Sequence, residues 1–379
     1  MSTVFVISEF NPFHHGHKYL IDTLHKDFDT VVCVMSGNSV QRGEIACAEK
    51  YTRAKIAIQN GANLVIELPF PFCSLAASEF AKAGVFLSNA LGCNHLAFGV
   101  EAEGEDVIKA AEILYDKTKI SNYIKLHPKL SYPKAALEML KEEFKDNAGM
   151  IEKPNNILGA EYINAIRTWK FDIKPVFIHR EKEFASSSLI RKVLFEDFEK
   201  GLSMLPDETK NILKDQKPWD MARLDGAIIA AIRKTKGEGD YYGIDSGAFK
   251  KIYSASLVSS SVKEICKKSV STNLTYARIR RTLLYVLLGV GKEYRARGKN
   301  TKTPSYALVL AADKTGREYL SEEKKNFLVP VITKPADYIK ESESVRSDFE
   351  FSLTADRVLS IASANSGEYN PLKMTPFMK

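Results

Sequence analysis

Along the first hundred residues, short all-apolar runs alternate with longer segments in which apolar positions recur every three or four residues. The short runs, over 3–8, 30–35, 64–68 and 95–98, read as strands. The longer segments, over 16–24, 48–60 and 78–91, read as helices, and Gly61 and Gly92 follow two of them as natural stops. Strands separated by helices in this way predict βαβ units and a parallel sheet. Their near-continuous apolar character predicts a sheet covered on both faces. The alternation then loosens, with helices over 105–115 and 160–169, one opening at Ser131 and Pro133, and a strand over 174–178 expected to be the last of the sheet. Ser186 to Ser188 should cap the helix that follows.

Beyond residue 200 helical patterns dominate as far as Gly289, the strongest over 274–288. A basic, polar loop over 293–304 comes next, then strands over 305–311 and 328–333 around a helix, and a last helix over 348–362. The expected class is α/β. A parallel-sheet domain over 1–200 precedes a mainly helical domain over 201–379 with a small α/β portion.

Composition narrows this picture. Among 379 residues, 45% are hydrophobic and 27% charged, which excludes a mainly disordered or fibrous chain. No apolar run approaches the ~18 residues of a spanning helix, so no membrane association is expected. The apolar start is interrupted by Glu9 and lacks a basic stretch before it, so it does not read as a secretory signal. Cys33, Cys47, Cys73, Cys93 and Cys266 are dispersed without C-x-x-C spacing. That argues for a reducing compartment, the cytoplasm, and against a disulfide framework or zinc site.

The formal charge of +7 is unevenly placed. Residues 260–303 hold 11 Lys or Arg against 2 Asp or Glu, and the rest of the chain is slightly acidic. Such a patch attracts polyanions, RNA above all, although a solvated helix face beside a loop has the same composition.

The sharpest chemical feature is Phe10-Asn11-Pro12-Phe13-His14-His15-Gly16-His17, at the junction of the first strand and first helix. Ligands of open α/β sheets bind at the carboxyl ends of strands. A helix start there offers free N–H groups and the positive end of the dipole, both suited to phosphate. Gly16 lets the backbone approach a ligand closely. His14 and His17, three apart, share one face of the first turn and can donate to a phosphate as it gains charge. A metal site and an ordinary turn are the alternatives, but no close third ligand is visible for a metal.

The H-x-G-H signature resembles the nucleotidylyltransferase superfamily, and further stretches resemble one family within it, the bacterial tRNA(Met) cytidine acetate ligases. These are Met35 to Glu44, Lys50 to Ala54, Asn60 to Pro69, Phe98-Gly99-Val100-Glu101, Pro154 to Gly159, Ser186 to Arg191, Arg278 to Arg281 and Ile332 to Pro335. The similarity spans nearly the whole chain. His15 stands where the family usually has Asn, Ser39 where it has a larger apolar residue, Val100 where it has Ser, and Ser188 where Thr is common. The resemblance implies a Rossmann-like nucleotidylyltransferase domain followed by a tRNA-binding domain. It also implies an enzyme that joins acetate to AMP from ATP, then passes the acetyl group to N4 of the wobble cytidine of elongator tRNA(Met). The products are N4-acetylcytidine, AMP and pyrophosphate. Mg²⁺ is expected with ATP.

Under this resemblance, residues 7–20 form the ATP cradle: Ile7, Ser8, Glu9, Phe10, Asn11, Pro12, Phe13, His14, His15, Gly16, His17, Lys18, Tyr19 and Leu20. His14 and His17 are the catalytic candidates. Lys18 can neutralise phosphate charge or be a surface lysine. Gly99 ends a strand and can lie against adenine or ribose, or simply turn the chain. Asn155 and Asn156 can cap a helix, and the family places an ATP contact at one of them. Arg180 can fork onto phosphate oxygens or pair with Glu181 or Glu183. Ser186, Ser187, Ser188 and Arg191 make a second helix start for the β- and γ-phosphates, or a plain cap. Ser36, Gly37, Gln41 and Arg42 should wall the acetate and cytidine side, with Arg42 on the acetate carboxylate. Lys267, Lys268, Arg278, Arg280, Arg281, Arg295 and Arg297 should grip RNA. Of the interleaved tyrosines, Tyr276 and Tyr285 read as core or rim and Tyr294 as a base-stacking candidate. Two other functions use the same cradle. One is a nucleotidylyltransferase acting on a small phosphate ester, and the other is a non-catalytic, nucleotide-sensing RNA-binding protein.

Overall fold

A computed structural model describes residues 2–128, 130, 132–145, 148–181, 183–292, 302–364, 367 and 369–379. Ser131 and most of the basic loop, with Tyr294, Arg295 and Arg297, lie outside the described residues. In chain order the elements are β1 (Thr3–Ser8), α1 (His15–Leu24), β2 (Thr30–Ser36), the short β3 (Ser39–Val40) and β4 (Glu44–Ile45), α2 (Lys50–Gln59), β5 (Leu64–Leu68) and α3 (Ala77–Ala90). β6 (His95–Val100) is followed by α4 (Gly104–Tyr115), α5 (Lys117–Leu126), α6 (Tyr132–Phe144), α7 (Ala148–Ile151) and α8 (Pro154–Trp169). β7 (Lys174–His179) then leads to α9 (Ser187–Glu196), α10 (Phe198–Ser203) and α11 (Asp207–Leu213). The helices α12 (Asp225–Lys234), α13 (Ser246–Leu257), α14 (Val262–Ser269) and α15 (Tyr276–Leu288) precede β8 (Ala307–Ala312). The chain closes with α16 (Lys314–Glu323), β9 (Val331–Ile332), α17 (Glu343–Leu359) and β10 (Phe377–Met378).

The expected parallel sheet is present, with its central strands in the order β5-β2-β1-β6-β7, all parallel. The order reverses between β1 and β6, and this switch point opens a crevice beyond the strand ends. Alternate residues of each strand serve opposite faces. Val4, Val6, Val31, Cys33 and Val65 pack with α1 and α2, whereas Phe5, Ile7, Val32, Val34 and Ile66 pack with α3 and α8. This two-sided burial is why the strands lack polar alternation.

β7 is not the last strand of the sheet. β8 pairs antiparallel with β5, β9 and β10 pair with β8, and all six residues of β8 are buried. The strands after residue 200 therefore extend the first sheet. An edge as apolar as β5 needs a partner strand, and β8 supplies one. All five cysteines are buried and free. Among the described residues, no helix is long and apolar enough to cross a membrane.

Candidate active site

A cavity of about 740 Å³ occupies the crevice at the switch point, within the ~300–1,000 Å³ usual for small-molecule sites. Its floor is the carboxyl ends of β1 and β6 and the starts of α1 and α9.

The α1 corner is built by its own imidazoles. His14 is the N-cap residue, and its Nδ1 accepts the Gly16 N–H at 3.0 Å. The His14 N–H in turn donates to Nδ1 of His17 at 3.2 Å. Each ring thus spends Nδ1 as an acceptor, which places its proton on Nε2. His14 Nε2 reaches the Ser187 hydroxyl on α9 at 2.9 Å. The two rings stack with centroids 3.9 Å apart, wedged beside Phe10 and Phe13. Burial, and next to it the Arg180 charge, pushes His14 down to about 4. Burial and then His14 hold His17 well below the ordinary histidine value. Both are neutral donors at neutral pH. Gly16 serves this packing, because a Cβ there would stand 3.0 Å from His14 Cε1. Phe10 adopts a left-handed φ of +44°, unusual for a bulky residue and a local strain at the turn that leads into the corner.

Across the cavity, Arg180 lies 3.5 Å from Glu101, not paired with Glu181 or Glu183. Gly99 makes room for it, since a Cβ would meet Arg180 Cγ at 3.2 Å. The two asparagines do not cap α8. They sit in its first turn after Lys153, and their tasks differ. Asn155 lines the cavity and donates to Glu101 Oε1 at 2.7 Å. Asn156 is buried and accepts from the N–H groups of Glu101 and Ala102, which fixes the turn after β6. Ser186 caps α9 through Leu189 N–H. Arg191 donates to Asn11 O at 2.7 Å and pairs with Glu44 at 2.9 Å.

Most of the expected cradle lines this cavity, together with Gln41 and Arg42. Pro12, Phe13, His15 and Lys18 do not. Phe13 is core, His15 is exposed, and Lys18 pairs with Asp22 one turn along α1. Ser36 and Gly37 also lie off the wall. Their carbonyls accept from Arg53, a fully buried guanidinium that also holds Ala48 O and Glu9 O. Gly37 has no space for a side chain, because Glu67 Oε1 stands 2.5 Å from where a Cβ would be.

Sequence reading passed over Arg53 and Glu44. Glu44 holds Arg191 on one side and Arg280 of α15 on the other, at 2.6 Å. An apolar end made by Phe80, Phe98, Ile157, Leu158 and Tyr162 was also missed. Several cavity-wall atoms are buried without a hydrogen-bond partner among the described residues, including Ser8 Oγ, Asn11 Nδ2 and Glu101 Oε2. Unmet donors and acceptors gathered in one cavity mark a place for a polar ligand.

Of the basic patch, Lys267 and Lys268 are exposed on the last turn of α14. Arg278 donates to Gly243 O and Asn273 O. Arg281 donates to Gln41 O, and Arg280, stacked over Tyr276, serves Glu44. Tyr285 is core and Tyr276 lies at the rim.

Residues 1–372 match the family described as HIGH Nucleotidyl Transferase. The tRNA(Met) cytidine acetate ligase of Thermoanaerobacter sp. (strain X514) is 33% identical, with 97% of this chain and 96% of that protein aligned. The chain belongs to the tRNA(Met) cytidine acetate ligase family. A second ligase of that name, from Halothermothrix orenii, is 33% identical over 90% of this chain and 89% of its own. The crystal structure of Thermotoga maritima TmcAL bound with alpha-thio ATP superposes with a TM-score of 0.91. It covers 100% of this chain and 99% of its own at 26% identity. The α/β nucleotidylyltransferase fold is thus shared from end to end with this ligase family, and the long helical stretch between β7 and β8 is common property rather than an insertion.

Proposed function

We propose that the protein is an ATP-dependent ligase that acetylates the wobble cytidine of elongator tRNA(Met), with acetate as acyl donor. The observation that carries this reading is the pair of neutral, Nε2-protonated imidazoles at the α1 start, facing the α9 start across one cavity. Two helix N-termini with Arg180 and Arg191 suit a triphosphate. Acetate oxygen attacks the α-phosphorus, and pyrophosphate leaves. Donors from His14 and His17 meet the charge that accumulates on the α-phosphate oxygens in that transition state. Arg191 and Ser186 to Ser188 take the departing β- and γ-phosphates. Gly99 and Asn155 lie toward the nucleoside, and Gln41 and Arg42 toward acetate and cytidine. Among the described residues, no group of three or more His, Cys, Asp or Glu is clustered to hold a metal. Any Mg²⁺ would be held by the ATP phosphates and would supply charge neutralisation there.

In this reading residues 1–200 adenylate acetate and the helices within 201–379 bind tRNA in the cytoplasm. Lys267 and Lys268 are the exposed cations for its backbone. The test is exchange of labelled pyrophosphate into ATP, followed by mass analysis of nucleosides from tRNA incubated with enzyme, ATP and acetate. Acetate-dependent exchange and N4-acetylcytidine are expected. Exchange that requires a phosphate ester instead, or ATP binding without exchange, overturns the reading in favour of a small-substrate transferase or a sensor.

A further inference from the structure

Five carboxylates line the cavity: Glu9, Glu44, Glu101, Glu152 and Glu181. Four are engaged. Glu44 pairs with Arg191 and Arg280, Glu101 with Arg180 and Asn155, Glu152 with Lys141 at 3.7 Å, and Glu181 accepts from the Tyr19 hydroxyl at the exposed rim. Glu9 is different. It has no ion pair among the described residues, and its carboxylate accepts a single hydrogen bond, from the Gln41 N–H to Oε1 at 2.9 Å. Its backbone is fixed by Arg53 donating to Glu9 O. Its second carboxylate oxygen has no hydrogen-bond partner among the described residues and is not sealed within the protein, so it is free to accept from a donor of a ligand in the cavity. Glu9 stands just past the end of β1, held by the Gln41 N–H of the β3–β4 hairpin, whose Gln41 and Arg42 also line the cavity.

We infer that Glu9 is a catalytic residue of the acetyl-transfer step: its free oxygen accepts the N4 amino hydrogen of the target cytidine and removes that proton. The inference rests on the proposed ligase reading and assigns its acceptor site. A carboxylate is the acceptor that fits an exocyclic cytosine amine and repels the O4 of uracil. In the step, the N4 lone pair attacks the acetyl carbon and a C–N bond forms. The bond from that carbon to the phosphate oxygen breaks, AMP leaves with the electron pair, and the amine proton passes to Glu9 and then to water. Desolvation raises Glu9 above the ordinary carboxylate range, which makes it a stronger base. Around it stand Arg191 of α9, Arg42 and Glu44 of the β3–β4 hairpin, Arg53 of α2 and Tyr162 of α8.

The test supplies synthetic acetyl-adenylate with tRNA in a single turnover, so that activation of acetate is bypassed, and reads N4-acetylcytidine across pH. For Glu9→Gln the transfer rate should fall by about 10²–10⁴. The rise of the wild-type rate with pH should disappear with it. Glu9→Asp, which keeps the base, should retain that rise at a lower rate and guards against a folding artefact. Transfer by Glu9→Gln within threefold of wild type, with the same pH profile, overturns the assignment. A wild-type enzyme that cannot use acetyl-adenylate overturns the ligase reading itself.

Discussion

A neutral imidazole can donate a hydrogen bond without carrying a charge that the cavity must desolvate. Burial holds both His14 and His17 in that state, helped by the Arg180 charge at His14 and by His14 at His17. His17 contributes a donor and also the acceptor for the His14 N–H, so its loss touches the chemistry first. His17→Ala should slow acetate-dependent pyrophosphate exchange by about 10²–10³. Far-UV circular dichroism should stay unchanged, and a near-normal exchange rate would show that His17 does not meet the transition state. The same burial has a cost in stability. His14 titrates near 4 when folded and near 6.5 when unfolded, so the unfolded chain binds more protons between those values. Stability should therefore fall as pH drops from 6.5 to 4, by roughly 3 kcal/mol from this group alone. Urea titrations of His14→Gln should show a shallower decline over that window than wild type.

At the scale of elements, the β3–β4 hairpin joins the phosphate arm to the helical part of the chain. Glu44 lies between Arg191 and Arg280, Arg281 holds Gln41 O, and a Cβ on Gly43 would stand 2.5 Å from the Arg281 amide. The basic patch therefore has two parts. Reversing Arg280 and Arg281 to Glu would set like charge against Glu44, so pyrophosphate exchange should fall along with tRNA affinity. Reversing the exposed Lys267 and Lys268 should weaken tRNA binding and flatten its salt dependence, by roughly 1 in log–log slope per lysine. Equal salt slopes for wild type and this second variant would remove α14 from the docking surface. The β1–α1 corner was legible because an apolar run, a turn and three histidines follow each other within fifteen residues. Ser36 and Gly37 were misplaced, though the loop itself was found. Arg53, one buried arginine in α2, ties down both their carbonyls, a contact that no local pattern in the loop announces. Pairings such as Glu44 with Arg280 span 236 residues, and no local pattern announces them.

For the molecule as a whole, the return of the chain to the first sheet decides what depends on what. The apolar character of β8 was readable, but its antiparallel seat on β5 was not, because strand patterning carries no information about the partner. The return is locked by buried charge. Lys50 of α2 touches both oxygens of Glu67 on β5 at 2.8 Å and Asp356 of α17 at 2.6 Å, and Asn38 bridges Asp356 to the Lys50 N–H. Burial opposes the charged ammonium, yet Asp356 and Glu67 keep Lys50 well above the ordinary lysine value. Replacing one member of such a cluster leaves the others charged and dry, a loss of about 3–5 kcal/mol. Lys50→Met should lose that much at neutral pH. The two stranded carboxylates would then bind protons more readily folded than unfolded, so the deficit should grow as pH rises from 5 to 8. Urea unfolding at both pH values measures this. A deficit below 1 kcal/mol, or one that does not change with pH, would mean that the cluster does not hold the C-terminal helix to the sheet.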